Sequence, residues 1–113
     1  MQVVHVDTDR VLAEDVELAD TFVKKLKGVM FRPSLPPDYG LVFPFESVER
    51  RGVHMLFVRV AIDVLWLEDG TVQAVETLEP WTGFARAPAK TIVELPAGVA
   101  SAVSPGDTVE IRS

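Results

Sequence analysis

Short apolar runs separated by single glycines and prolines recur along the chain, the pattern of strands joined by tight turns. Strands are expected over residues 2–6, 11–18, 40–45, 53–60, 61–68, 71–78, 91–95 and 108–112. The runs 53–60 and 61–68 are the densest in Val, Ile, Phe and Trp, and they alternate poorly because both faces are apolar. Central strands covered on each side read this way. Pro44 marks an edge. Asp69-Gly70 is a hairpin signal, and Ser104-Pro105-Gly106-Asp107 a turn. Residues 33–38, with three prolines, and 80–88 are expected to be irregular, and Arg50-Arg51 to form an exposed pair in the turn before the central strands.

One segment changes period. Leu18, Phe22 and Leu26 recur every four residues with Val23 beside them, an apolar stripe on one helical face. Asp20 is placed to cap its start, Lys24, Lys25 and Lys27 to complement its C-terminal dipole, and Gly28 to end it. A helix of about two turns must be held by packing. The fold class expected is mostly β: a compact β-barrel or two-sheet sandwich of about eight short strands with one short helix near residues 20–27.

At 113 residues the chain is expected to be a single domain, 1–113. It has no cysteine, which removes disulfides, thiolate metal sites and a cysteine nucleophile. Seventeen acids face eleven bases, for a net charge of −6. No basic stripe stands ready to track phosphates, so no nucleic-acid partner is expected. Only four of the bases are lysine, a balance that fits a protein kept soluble in high salt. No apolar run reaches the ~18 residues a membrane helix needs, and residues 1–5 do not read as a secretory signal, so no membrane partner and a cytoplasmic location are expected.

Asp63 sits inside an apolar strand, where a charge must be paired or hydrogen-bonded. Either it satisfies loop N–H groups or pairs with an arginine, or it faces a cleft as a site carboxylate. Arg32 is either an anion clamp or the internal partner of Asp63 or another acid. His54 lies beside aliphatic residues, as core histidines do, and is weaker as a base or ligand. His5 and His54 are far apart, and Asp7-Thr8-Asp9 lacks the remainder of a calcium loop, so no metal site is expected. Trp81 either lines a groove or caps one end of the fold. With no phosphate loop, dinucleotide fingerprint or nucleophile elbow, no catalytic residue and no cofactor are assigned.

Several blocks are similar to a known family. Glu17-Leu18-Ala19-Asp20-Thr21 with Lys27-Gly28-Val29-Met30-Phe31-Arg32 resembles an A-x-T helix start followed by a basic residue and G-L-M-x-R. Gly40-Leu41-Val42-Phe43-Pro44-Phe45 resembles G-M-L-F-x-F. His54-Met55 and Ile62-Asp63-Val64-Leu65-Trp66 stand where W-M and I-P-L-D-I-x-F are carried. Glu94-Leu95-Pro96-Ala97-Gly98 and Gly106-Asp107 complete the order. Over about residues 17–111 the chain resembles an archaeal-like member of the domain-of-unknown-function 192 family. The resemblance implies a compact β structure with a short helix, and no reaction. Where members carry lysine-asparagine-threonine after the W-M, this chain has Leu56-Phe57-Val58.

The charged residues within these blocks suggest a module for a small polar or anionic ligand near Lys27, Arg32, His54 and Asp63, with Trp81 as a further candidate. A protein-interaction domain docking through a strand edge or the Trp81 loop is the second reading. A hydrolase-type enzyme using Asp63 and His54 as an acid–base pair is the third.

Overall fold

In the computed structural model, which describes residues 1–113, the chain forms β1 (Gln2–His5), a 3-10 turn (Val6–Thr8), β2 (Arg10–Ala13), β3 (Asp15–Leu18), α1 (Phe22–Lys27), β4 (Tyr39–His54), β5 (Ile62–Glu68), β6 (Thr71–Leu78), β7 (Phe84–Pro96) and β8 (Val109–Arg112). Strands β2-β1-β8 make a small antiparallel sheet, and β3-β4-β7-β5-β6 a larger one. The architecture is sandwich-like, with no closed barrel.

Strand β5 is apolar on both faces because both are covered. Ile62, Val64 and Trp66 join one core cluster with Leu41, Phe43, Val53, Met55 and Ile92. Leu65 and Leu67 join a second, with Val3, Val42, Val93 and Val109, between the two sheets. Asp69 and Gly70 take φ of 48° and 84°, as a two-residue hairpin turn requires, and so join β5 to β6.

Strands β4 and β7 are long rather than short. β4 runs on through Pro44, which pairs with Thr91, and a bulge between Pro44 and Glu49 absorbs the irregularity. Arg50 and Arg51 therefore lie within a strand, not a turn. Arg51 lies 3.7 Å from the centre of the Phe45 ring and donates to the Ser47 and Ala89 carbonyls and to Glu49, which pins the bulge. Trp66 Nε1 donates to the Arg51 carbonyl at 2.9 Å although β4 and β5 are not sheet neighbours, so the far half of the β4–β7 ribbon curls over β5. The strand expected over residues 53–60 stops at His54. There Val58 N–H closes a turn on the Met55 carbonyl, with Phe57 at φ 62°. The strand expected over 11–18 is divided at Glu14, where the N–H groups of Glu14 and Asp15 both turn to the Asp38 carbonyl.

Parallel pairing occurs once, between β3 and β4, and the connection that it needs carries α1. Thr21, not Asp20, caps the helix, its hydroxyl accepting from Lys24 N–H at 3.2 Å. Asp20 instead faces Lys24 Nζ at 3.9 Å. The apolar stripe is not packed: Phe22 is 80% exposed and Leu26 63%. Ala19 and Val29, on either side of the helix, take the core contacts of this segment. No helix is long and apolar enough to cross a membrane.

Candidate functional site

A cleft of about 100 Å³ opens where α1 and the turn after it meet the large sheet. Lys25 and Lys27 line it from the helix, Phe43 and His54 from β4, and Ile92 and Glu94 from β7. Alternation along β7 sends Val93 and Leu95 to the core between the sheets and turns Ile92 and Glu94 to the cleft side.

Glu94 is 6% exposed, and its Oε1 has no hydrogen-bond partner. Burial disfavours the charged form and pushes its pKa up to about 8. At neutral pH the side chain is therefore mostly a neutral acid, with one O–H to donate and acceptor capacity left over. Gly28 faces it. A Cβ there would stand 3.6 Å from Glu94 Oε1 and 3.6 Å from the Phe43 ring. The glycine takes φ 52° and ψ −130°, a conformation that side chains resist, and it leaves unfilled the space a Cβ would take beside the buried carboxyl.

A second depression, of about 210 Å³, adjoins the cleft and shares Lys27 and Gly28 with it. Here Arg32 Nη2 meets Glu17 Oε1 at 2.7 Å, and the Tyr39 hydroxyl donates to the same oxygen at 2.8 Å. The Arg32 guanidinium also lies 4.7 Å from the Tyr39 ring centre. Hydrogen bonds from Arg32 and Tyr39 hold Glu17 below the usual carboxylate range. Burial, and then the bond to Glu17, raise Tyr39. The acid paired with Arg32 is thus Glu17 and not Asp63.

The structure brings Lys27 and His54 together at the cleft and sets Arg32 beside it. Asp63 lies elsewhere. It is 2% exposed and shares a strand face with Leu65 and Leu67, opposite the cleft. Thr77 Oγ1 donates to its Oδ1 at 2.7 Å, and the N–H groups of Gly98 and Ala100 donate to Oδ2 at 3.0 and 2.9 Å. Asp63 therefore ties β6 and the turn after β7 to β5, and it does not meet His54. Trp81 is also separate from the cleft. It is half exposed and stands edge-on to Phe57 at 5.7 Å, while Phe57 lies 5.4 Å from Phe31. All three of these aromatic residues have positive φ. Position 57 is where the resembling pattern carries asparagine, a residue type that tolerates this backbone region. Phe57 meets this backbone requirement under strain.

The sequence marks Glu94 only as part of the E-L-P-A-G block and gives Glu17 and Tyr39 no sign of a site role. The available signal for Glu94 was the one used for Asp63: a lone acid in an apolar strand. His5 is a buried histidine with both ring nitrogens engaged, Nδ1 by Thr8 Oγ1 at 2.7 Å and Nε2 by Asp107 Oδ2 at 2.8 Å. Asp7 lies near, its Oδ1 3.8 Å from Nε2. The two acids also accept N–H bonds from Thr108 and Ser104, so the group joins the start of the chain to the turn before β8.

The family model described as DUF192, Uncharacterized ACR, matches residues 3–111. A UPF0127 protein of Pyrococcus furiosus is 41% identical over 102 residues, covering 85% of this chain and 85% of its own. A crystal structure from Sinorhizobium meliloti, described as a putative transcription regulator, superposes with a TM-score of 0.83 at 27% identity, over 96% of this chain and 89% of that one. A protein of unknown function from Novosphingobium aromaticivorans superposes with a TM-score of 0.74 at 26% identity, over 85% of this chain and 74% of its own.

Proposed function

The chain belongs to the uncharacterised DUF192 family, and from that premise we propose that it is a binding module whose cleft, floored by Glu94, takes a small polar ligand. The observation that carries the reading is the unpartnered Oε1 of Glu94. Leaving a buried polar atom unsatisfied costs about 1–3 kcal/mol, a cost that a ligand group hydrogen-bonded to Oε1 would remove. The cleft also draws on residues from four blocks of the family-like pattern that are distant in sequence: Lys27 to Met30, Phe43 and Phe45, His54, and Glu94. Its volume is well below the roughly 300–1,000 Å³ of drug-sized sites, so it accepts a small group rather than a large cofactor.

The test is the thermal midpoint against a panel of small acids, amines, sugars, nucleotides and divalent cations, at low and molar salt. A ligand at a hundred times its dissociation constant stabilises by about 2.7 kcal/mol, which raises the midpoint by roughly ten degrees or more in a domain of this size. A hit that disappears in Glu94→Leu supports the reading. A hit unchanged by that substitution, or no hit at all, overturns it.

The second reading, an interaction domain, is favoured by the uncovered α1 and by the exposed group of Phe31, Phe57 and Trp81. A partner retained by the wild type and lost with Trp81→Ala supports it. The enzyme reading loses its motive, because Asp63 and His54 do not adjoin.

A further inference from the structure

A ligand's charge must suit both the floor and the rim of the cleft. At the floor stands one carboxyl, buried, unpartnered on Oε1 and faced by Gly28, which has no side chain. At the rim stand Lys25, Lys27 and His54. Neither lysine forms an ion pair with Glu94, and Lys25 Nζ instead lies 4.5 Å from the centre of the Phe45 ring. The rest of the lining is mostly apolar, with Val29, Phe43 and Ile92 among it. A cationic ligand would have to pass two lysines to reach one acid. An anion passes them favourably and arrives at a group that, carrying its proton, can donate to it.

We infer that the cleft takes the carboxylate of a small acid with an apolar tail, the Glu94 carboxyl donating a hydrogen bond to it and Lys25 and Lys27 supplying the countercharge. This rests on the reading that the cleft is a ligand site. The size of the cavity suits a carboxylate and a short tail, given about 30 Å³ per water-sized unit. A phosphate, by contrast, is usually held by several N–H donors or a guanidinium fork, and Arg32 is engaged by Glu17 in the neighbouring depression. Burial keeps the Glu94 proton in place up to about pH 8, so the donor is present at neutral pH. The other titratable groups around it are Lys25, Lys27 and His54 on the cleft and, toward the depression, Lys24 and Tyr39 with Glu17 and Arg32.

Calorimetric titration of the full chain with isovalerate, with isobutylammonium of matching shape, and with inorganic phosphate, at pH 6 and pH 9.5, tests it. Isovalerate is expected to bind at pH 6 and to weaken at least tenfold at pH 9.5. In Glu94→Gln, which keeps a donor but does not ionise, the weakening should shrink to what the rim groups cause. Glu94→Leu should abolish binding, and Lys25→Ala with Lys27→Ala should weaken it several-fold with the fold intact by circular dichroism. Isobutylammonium binding that strengthens at pH 9.5, or phosphate binding without isovalerate, overturns the carboxylate inference and leaves the cleft a ligand site. If none of the three binds, the carboxylate inference fails, and the broader panel, read against Glu94→Leu, then decides the binding-module reading separately.

Discussion

Oε1 of Glu94 lies 3.6 Å from where a Cβ would stand on Gly28, so the one unpartnered buried carboxyl oxygen faces the one residue at the helix end that has no side chain. The two are far apart in sequence, and the pairing exists because the β3–β4 crossover lays the end of α1 against the side of β7 that carries Ile92 and Glu94.

Gly28→Ala is expected to act twice. The backbone at φ 52° and ψ −130° disfavours any side chain, at a cost of about 1–3 kcal/mol, which urea unfolding reads directly. The new methyl also narrows the approach to Glu94, so ligand affinity should fall by more than stability loss alone explains. Unchanged affinity would place the ligand elsewhere.

Stability should depend on pH in two separate windows. Glu94 has a folded pKa raised to about 8 from an ordinary 4.5, so between these values the folded chain holds a proton that the unfolded chain has lost. Its contribution is fully present below about 4.5 and is lost as pH rises through 8. The loss amounts to a few kcal/mol, at about 1.4 kcal/mol for each tenfold change in proton affinity. Glu17 and Asp107 are shifted the other way, Glu17 chiefly by Arg32 and Asp107 chiefly by the Ser104 N–H, so what they contribute is present above their ordinary values and lost on acidification. Urea midpoints at pH 5 and pH 8.5 should show the wild type weaker at the higher value and Glu94→Gln nearly level. A wild type equally stable at both would contradict the burial argument.

Asp63→Ala should destabilise the fold by about 2–4 kcal/mol, because it leaves the buried N–H of Ala100, the N–H of Gly98 and the Thr77 hydroxyl without their acceptor. Ligand affinity should be unchanged, since the residue faces away from the cleft. A loss of binding at unchanged stability would restore Asp63 as a site residue.

The contrast between Asp63 and Glu94 shows what could be read in advance. Each is a lone acid within an apolar strand, and the same reasoning applies to both. What separates them is tertiary. A turn delivers two N–H groups and Thr77 a hydroxyl to Asp63, while a glycine and a phenylalanine ring face Glu94. Local signals fared better in part: Asp69-Gly70 specifies its hairpin by backbone preference alone, and the run 61–68, apolar on both faces, predicts the strand found over Ile62–Glu68, whereas the same signal over 53–60 gives a strand that stops at His54. The period-four stripe of α1 correctly indicates a helix. It could not say that Ala19 and Val29 would take the core contacts and leave Phe22 and Leu26 in solvent.

Phe57→Asn is expected to leave stability unchanged or raise it by about 0.5–1 kcal/mol, because asparagine relieves the strain of an aromatic residue at φ 62° while the ring that is lost is half exposed. Thermal unfolding checks this. A loss above about 1 kcal/mol would mean that contact with Phe31 and Trp81 outweighs the strain.

The most direct test of the binding-site claim is a carbon-13 NMR titration of the Glu94 side-chain carboxyl, with and without isovalerate. A midpoint near pH 8, and a resonance displaced by the added acid at pH 6, are the predicted results. A midpoint near the ordinary 4.5, or a resonance that no ligand from the panel moves, would contradict the claim that this buried carboxyl is the floor of a binding site.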